Sequence, residues 1–212
     1  MAPDAVTTGL VPREFLERPA QEVAPGLLGC VFEHETADGL VAVALTEVEA
    51  YAGEVDPASH AYRGRTERNA VMFGPAGHAY VYFTYGMHFC VNVVCMPPGT
   101  ASAVLLRAGQ VIAGEELARA RRGPASNPRD LARGPARLCQ ALGIDRRLDG
   151  ADLCDEASPL RLRPSRTTPM PWHSGPRVGV REGADVPWRF WLDGASSVSA
   201  YRPYVRRQRR AE

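Results

Sequence analysis

The segment HAYVYFTYGMHFCVN, residues 78–92, constrains the fold more than any other part of the sequence. Its aromatic and β-branched content is typical of β-strands, and the Tyr-Gly-Met step at 85–87 marks the turn of a hairpin. Side chains alternate in a strand over 79–85, so Tyr80 and Tyr82 share one face of the sheet. These rings either reach the rim of a core with their hydroxyls or form a surface for a flat ligand.

Tyr85 is the ring that packing explains least well. It immediately precedes Gly86 at the expected tip of the hairpin, where the rest of the domain offers nothing to cover a large side chain. An exposed ring in such a position suits insertion between stacked bases.

The rest of the chain predicts helices and short strands in one domain spanning residues 1–212. One helix is expected over 11–29, a hairpin over 30–51 with its turn at 37–39, and a second hairpin over 79–96. This mixture predicts an α+β fold. The remaining expected elements are a strand over 101–112, helices over 113–123 and 133–144, and strands over 160–164, 177–180 and 188–194.

The composition is that of an ordinary globular chain. Hydrophobic residues make up 45% and charged residues 23%, and no apolar run approaches the roughly 18 residues of a membrane span. No basic stretch followed by an apolar one begins the sequence, so no secretory signal is expected and the protein is predicted to be cytoplasmic. Residues 1–12 and 205–212 are expected to be flexible.

The charged and metal-ligating residues exclude several chemistries. The sequence contains no lysine, so all 25 basic residues are arginines and no side-chain amine can form a Schiff base. The net charge is only +1, so binding of a polyanion must rely on local arginine clusters. The five cysteines are scattered without a C-x-x-C pair, so neither a disulfide framework nor a metal site is predicted.

The motif TEVEAY, residues 46–51, follows a hydrophobic strand expected from Leu40 to Val48. Alternation places Glu47, Glu49 and the tyrosine that ends the motif on one face, and His60 follows in the next loop. A carboxylate beside an aromatic ring suits a general base that acts on a planar substrate. Solvated charges at the edge of a sheet would show the same pattern.

Several motifs in a fixed order carry a resemblance to a known family. They are TEVEAY, SHAYRGRTERNAVMFGPAGHAYVYFTYGMHFCVNVV, AVLLRA and GPARLCQALGI. With their flanks, from Leu27 to Val198, they resemble the alkyladenine (3-methyladenine) DNA glycosylases, whose monofunctional members excise alkylated and deaminated purines. The resemblance implies a curved, mainly antiparallel sheet flanked by helices, with a protruding β-hairpin that enters the DNA minor groove.

The resemblance also implies roles for individual residues. Glu49 matches the carboxylate that activates a water molecule, Arg107 matches an arginine that helps to hold this water, and a carbonyl near Val198 completes its site. Tyr51 and Tyr82 match the rings that sandwich a flipped base.

Other matched residues lie around the pocket or against DNA. His60 matches a histidine at the pocket edge, Asn92 matches an asparagine placed against the purine 2-position, and Tyr85 matches the residue that wedges into the duplex. The expected DNA contacts are Met72, Met87 and a loop arginine assigned to Arg65, with Arg63 and Arg68 as alternatives.

Together these features predict a monomeric, monofunctional DNA glycosylase that excises 3-methyladenine, 7-methylguanine, hypoxanthine or ethenoadenine from double-stranded DNA and so starts base excision repair. Water is the expected nucleophile, and no cofactor, metal or membrane is expected. One alternative is a non-catalytic module that binds single-stranded nucleic acid. A second is a metal-assisted hydrolase that uses Glu47, Glu49 and His60.

Overall fold

One antiparallel sheet with helices packed on it organises the chain. The computed structural model describes residues 9–84, 86–123, 127–165 and 170–205. The α-helices in these ranges are α1 (Arg13–Leu16), α2 (Ala20–Leu27), α3 (Glu115–Arg122) and α4 (Pro135–Leu142). The strands are β1 (Val31–Thr36), β2 (Gly39–Tyr51), β3 (Ala79–Thr84), β4 (His88–Cys95), β5 (Ser102–Ala113), β6 (Leu160–Arg163), β7 (Trp172–Gly175) and β8 (Arg189–Leu192). Single turns of 3-10 helix cover Gly53–Val55, Ala70–Phe73, Pro128–Asp130 and Arg146–Leu148.

The strands pair antiparallel along the path β3-β4-β5-β2-β1-β6. Strand β2 forks the sheet, because its first half pairs with β1 whereas 47–49 pairs with β8, which in turn pairs with β7. Register irregularities between β2 and β5 accompany the curl of the sheet, since a bulge bends the strand that carries it. The α+β class and the single compact domain with a curved antiparallel sheet are confirmed. Entry of the β3–β4 hairpin into DNA stays a prediction.

The helices cover the sheet and close one continuous apolar core. Helices α2, α3 and α4 pack against β2, β4 and β5. Helix α4 begins with Pro135 and ends at Gly143, whose φ of 72° is the left-handed cap that its sequence predicts. A second, smaller apolar cluster around Met72 and Tyr80 lies beside the outer strands β3, β4 and β5.

The prediction of a single N-terminal helix over 11–29 is wrong, because the structure has two helices there. Pro19 adopts an extended conformation with ψ of 138° and lacks an N–H, so it separates α1 from α2. The apolar side chains of this segment still face the core, since Leu16, Val23 and Leu27 have no exposed surface and Phe15 packs against the core half-buried.

The strand predicted over 177–180 is also wrong. This segment forms a turn, because Arg177 is inserted into the protein and the Val178 N–H bonds to a side chain instead of a neighbouring strand. Strand β7 was not predicted from the sequence. Its residues Trp172, His173 and Ser174 are all exposed, so no buried face imposes an alternation of apolar and polar side chains.

Part of the N-terminal segment expected to be flexible contacts the sheet. Val11 is buried, and its N–H donates to the Leu162 carbonyl at 2.8 Å. Residues 1–8 and 206–212 lie outside the described ranges. No helix within those ranges is long and apolar enough to cross a membrane.

Candidate active site

Two acidic side chains occupy the second half of β2. The strand continues to Tyr51, three residues beyond its expected end at Val48. Glu47 and Glu49 therefore lie within a strand that has β5 on one side and β8 on the other. Neither glutamate has any exposed surface, which excludes the interpretation of solvated edge charges.

Three hydrogen bonds hold the Glu49 carboxylate. Its Oε2 accepts from the Tyr51 hydroxyl at 2.9 Å and from Arg107 Nη1 at 3.2 Å, and its Oε1 accepts from the Val178 N–H at 2.7 Å. Burial, together with the adjacent charge of Glu49, raises the pKa of Tyr51 well above its usual value, so the phenol stays protonated and donates. The site therefore presents a carboxylate in one orientation, beside a cation and a phenol.

Glu47 forms a second, denser network. Its Oε1 accepts from Arg107 Nε at 2.8 Å, from Arg189 Nε at 2.7 Å and from Ser199 Oγ at 2.9 Å, and its Oε2 accepts from the Ser199 N–H at 2.7 Å. Burial alone would raise the pKa of Glu47, but Arg107 and Arg189 outweigh burial and hold this pKa below its usual value. Arg107 thus bridges Glu47 and Glu49.

A cavity of about 570 Å³ opens beside this network. Glu49 lies behind the cavity wall, whereas all three of its partners, Tyr51, Arg107 and Val178, line the cavity. The volume falls within the range of about 300 to 1,000 Å³ that is typical of small-molecule sites. The other lining residues are Pro57, Ala58, Ser59, His60, Met72, Tyr80, Tyr82, Thr84, Cys90, Asn92, Leu105, Pro135, Gly179, Val180, Arg181 and Glu182.

Aromatic rings form one wall of the cavity. Tyr80 and Tyr82 share a face of β3, as their spacing predicts, and their rings stack with centroids 5.4 Å apart. The His60 ring meets the Tyr82 ring edge-on, with the two centroids 4.5 Å apart, and His60 Nδ1 lies 3.1 Å from the Tyr80 hydroxyl. Partial withdrawal from water lowers the pKa of His60, and nearby Arg68 lowers it further, so the ring is neutral at pH 7.

Asn92 and Met72 lie inside the cavity. Asn92 is 5% exposed on β4, and its Nδ2 donates to the Tyr80 carbonyl at 3.3 Å. Met72 is 2% exposed and packs in the cluster that contains Tyr80. Asn92 lies in the cavity wall, as expected of a pocket residue. Met72 was expected to contact DNA, and because it is buried it can touch only a group that has entered the cavity, so this contact stays a prediction.

The other expected DNA contacts lie outside the cavity. Met87 is 70% exposed at the β3–β4 turn, and Arg65 is exposed in the loop that follows β2. Arg63 and Arg68 are exposed in the same loop, and Arg68 Nη2 donates to a carbonyl of β3 at 3.4 Å. Tyr85 lies outside the described residues, so its insertion into DNA stays a prediction.

Sequence reasoning missed a buried ion pair behind the cavity. Arg177 is 1% exposed, and it donates to both carboxylate oxygens of Asp56 at 2.5 and 2.9 Å. Its guanidinium carbon also lies 4.8 Å from the ring centroid of Tyr51. No short sequence motif could have indicated this pair, because 121 residues separate the two partners. Arg177 thereby joins the loop after β2 to the 178–182 wall of the cavity.

Val198 marks the segment whose carbonyl the resemblance places beside the water, and this role stays a prediction. The Val198 carbonyl accepts from Arg133 Nε at 2.9 Å, and Val198 is not among the cavity-lining residues. Val178 lines the cavity, and its N–H donates to Glu49. Ser199, which follows Val198 in the sequence, belongs to the hydrogen-bond network of Glu47.

The acids of the metal-assisted alternative are already paired. Glu47 and Glu49 both bind Arg107, and His60 bonds to Tyr80. Across the described residues, no group of three or more His, Cys, Asp or Glu side chains is arranged to hold a metal ion.

Comparison with known proteins extends the likeness to nearly the whole chain. The family model described as methylpurine-DNA glycosylase (MPG) matches residues 14–196. A protein from Streptomyces avermitilis is 57% identical over 203 residues, which cover 93% of this chain and 94% of that protein. Proteins from Leifsonia xyli (55% identical; 85% and 87% covered) and Burkholderia lata (49%; 93% and 94%) are also similar, and all three carry the name "Putative 3-methyladenine DNA glycosylase". The chain belongs to the methylpurine-DNA glycosylase family.

Proposed function

We propose that this protein is a monofunctional DNA glycosylase that hydrolyses the N-glycosyl bond of alkylated or deaminated purines in duplex DNA. One observation carries the proposal. A buried carboxylate, Glu49, lies directly behind the wall of a 570 Å³ cavity that has an aromatic side, and it is held there by Arg107 and Tyr51, which line the cavity. Family membership supports the coarser activity, cleavage of an N-glycosyl bond in DNA.

The cavity matches the needs of a base taken out of the stack. A purine in a duplex hides its glycosidic bond, so the nucleotide must rotate out at a cost of a few kcal/mol, and a damaged pair reduces this cost. Stacking on an aromatic side chain returns about 1–3 kcal/mol per base and accepts many purines. Tyr51 and Tyr82, which both line the cavity, are the rings proposed to sandwich the base. His60 would close the edge of that pocket.

Glu49 is proposed to act as the general base. It would take a proton from a water molecule while the water oxygen bonds to the sugar carbon and the bond to the purine breaks, with the bonding electrons leaving on the base. Arg107 would keep the carboxylate and the water in place. Alkylation makes the purine a better leaving group, because the electron pair then neutralises a positive ring. The product would be an intact abasic site.

Asn92 is proposed to limit the substrate range. It is buried on the cavity wall and anchored to the Tyr80 carbonyl, so its position is fixed. A fixed polar group beside the purine 2-position would crowd the exocyclic amine of guanine but leave room for adenine derivatives and hypoxanthine. 7-Methylguanine keeps this amine, so its release would depend on the positive charge that makes it a good leaving group. Rejection of a normal base requires such a repulsive element, because stacking alone does not discriminate.

Release of free base from single-lesion duplexes tests the proposal. Duplexes carrying 3-methyladenine, 7-methylguanine, hypoxanthine or ethenoadenine are incubated with the wild type and with Glu49→Gln, with and without EDTA. We expect release by the wild type in EDTA, and a loss of about three or more orders of magnitude in Glu49→Gln with lesion binding retained, since the amide cannot accept the proton.

Each of the other outcomes would favour a different function or a different catalytic residue. Binding of DNA without release of any base would favour the single-stranded nucleic-acid module. Loss of activity in EDTA would favour the metal-assisted hydrolase. If Glu49→Gln kept most of the wild-type rate, the assignment of the general base would be wrong.

A further inference from the structure

Glu47 is a buried acid that the proposed reaction does not use. It lies two residues before Glu49 on the same strand, has no exposed surface and accepts four hydrogen bonds. A carboxylate that only filled space would cost stability when buried, so its arrangement calls for a role. We propose that Glu47 is a positioning residue that holds Arg107 between the two acids and thereby keeps Glu49 an effective base. This inference rests on the proposed glycosylase function.

The geometry of Arg107 shows how Glu47 would act. The guanidinium places Nε on Glu47 at 2.8 Å and Nη2 on Ser199 Oγ at 3.3 Å, which leaves Nη1 for Glu49 at 3.2 Å. Arg107 therefore makes one longer contact to Glu49 instead of the short two-bond pairing that arginine forms readily with a free carboxylate. A two-bond pair would place a second charged donor on Glu49, whose oxygens already accept from the Tyr51 hydroxyl and the Val178 N–H, and so weaken it as a base.

Arg189 secures Glu47 from the opposite side. It donates to the same Oε1 atom as Arg107, and its guanidinium carbon lies 4.7 Å from the ring centroid of Trp191 on β8. Two glutamates and two arginines thus balance within one buried network. Removal of the Glu47 charge would leave an excess positive charge beside Glu49, which opposes protonation of Glu49.

Among the described residues, the charged and titratable groups that surround the two acids come from several elements. Glu47 faces Arg107 from β5 and Arg189 from β8. The groups that face Glu49 are Tyr51 from β2, Tyr82 from β3, Cys90 from β4, Arg107 from β5 and Arg177 from the loop before β8. With Gln at 47, Glu49 loses a negatively charged neighbour, and the positive charge of Arg107 is no longer shared with Glu47. The acid limb of the pH–rate profile should therefore move to lower pH, while the plateau rate falls.

The test compares Glu47→Gln with Glu33→Gln. Glu33 is a matched control, because its Oε1 also accepts from two arginine Nε atoms, of Arg161 and Arg163, each at 2.8 Å, but it lies on β1 away from the cavity. Base release is measured under single-turnover conditions with excess enzyme between pH 4.5 and 9. We expect Glu47→Gln to lose on the order of 10- to 100-fold in plateau rate and to shift the acid limb downward. Glu33→Gln should keep the wild-type profile.

The remaining outcomes separate the inference from the proposed function. A wild-type rate and acid limb in Glu47→Gln, or a rate loss with an unmoved limb that Glu33→Gln reproduces, would refute the positioning role. If Glu47→Gln does not fold, Ser199→Ala removes the hydroxyl that contacts Glu47 Oε1 and Arg107 Nη2 without a change of charge. That variant should lose rate with an unmoved limb, and an unchanged rate would overturn the inference. If wild-type protein released no base from any duplex, the proposed function itself would fall.

Discussion

Tyr51 combines two contacts that are separable by mutation. Its ring lines the cavity and has the Arg177 guanidinium near it, while its hydroxyl donates to Glu49 Oε2 at 2.9 Å. The ring would hold a base by stacking, and the hydroxyl would hold the carboxylate that activates the attacking water. At the level of single residues, binding and chemistry therefore meet in one side chain.

Tyr51→Phe should separate these two roles. The ring remains, so the enzyme concentration that gives half-maximal single-turnover rate should change by less than about threefold. The bond to the charged Glu49 is lost, and such bonds contribute about 1.5–3 kcal/mol, so the maximal rate should fall by on the order of tenfold or more. Both quantities come from a titration of single-turnover base release against enzyme concentration.

Tyr51→Ala is the companion variant, because it removes the ring as well. It should also weaken binding by about 1–3 kcal/mol, the contribution of one stacked base. A wild-type maximal rate in Tyr51→Phe would show that the hydroxyl does not assist Glu49.

At the scale of helices and strands, short sequence motifs predicted where several elements begin and end, but they did not predict the 178–182 wall of the cavity. Pro135 and Gly143 place both ends of α4, and the turn that joins β1 to β2 lies at 37–38, inside the predicted turn. The alternation of Glu47 and Glu49 also predicted their shared face, because that face depends only on the period of a strand. The 178–182 wall was not predicted, since contacts to distant residues determine its conformation.

The Arg177–Asp56 pair is a buried, two-bond example of these distant contacts. Its side chains are 0% and 1% exposed, and it joins the two loops that flank the cavity. Arg177→Met should destabilise the protein by about 3–5 kcal/mol, because it leaves the Asp56 charge buried and unpaired. Urea unfolding monitored by tryptophan fluorescence measures this loss.

Two further variants test the cause of that loss. Arg177→Met combined with Asp56→Asn should recover part of the stability, since the uncompensated charge is then absent. Arg147→Met removes the exposed partner of Asp145 and should leave the unfolding free energy unchanged. If Arg177→Met were as stable as the wild type, the pair would not hold the loops together.

For the whole molecule, the amino-acid composition limits the reaction. No lysine is present, so the N-terminal amine is the only amine that could attack the sugar. A glycosylase of this composition should use water and leave the DNA strand uncut.

Borohydride trapping tests this limit. Incubation with hypoxanthine-containing duplex and borohydride should give no covalent protein–DNA adduct, and the strand should break only after treatment with alkali. A glycosylase with a catalytic lysine provides the positive control. A trapped adduct of this protein would refute the water mechanism.

The fork of the sheet determines how the enzyme is expected to lose activity on heating. Backbone groups of 47–49 are paired on both sides, with β5 and with β8, so this stretch can lose its ladder bonds only when the centre of the sheet opens. The amide hydrogens around Glu49 should accordingly be among the last to exchange with deuterated solvent. Heat would then inactivate the enzyme at the temperature at which it unfolds, with no earlier loss of a locally melted site.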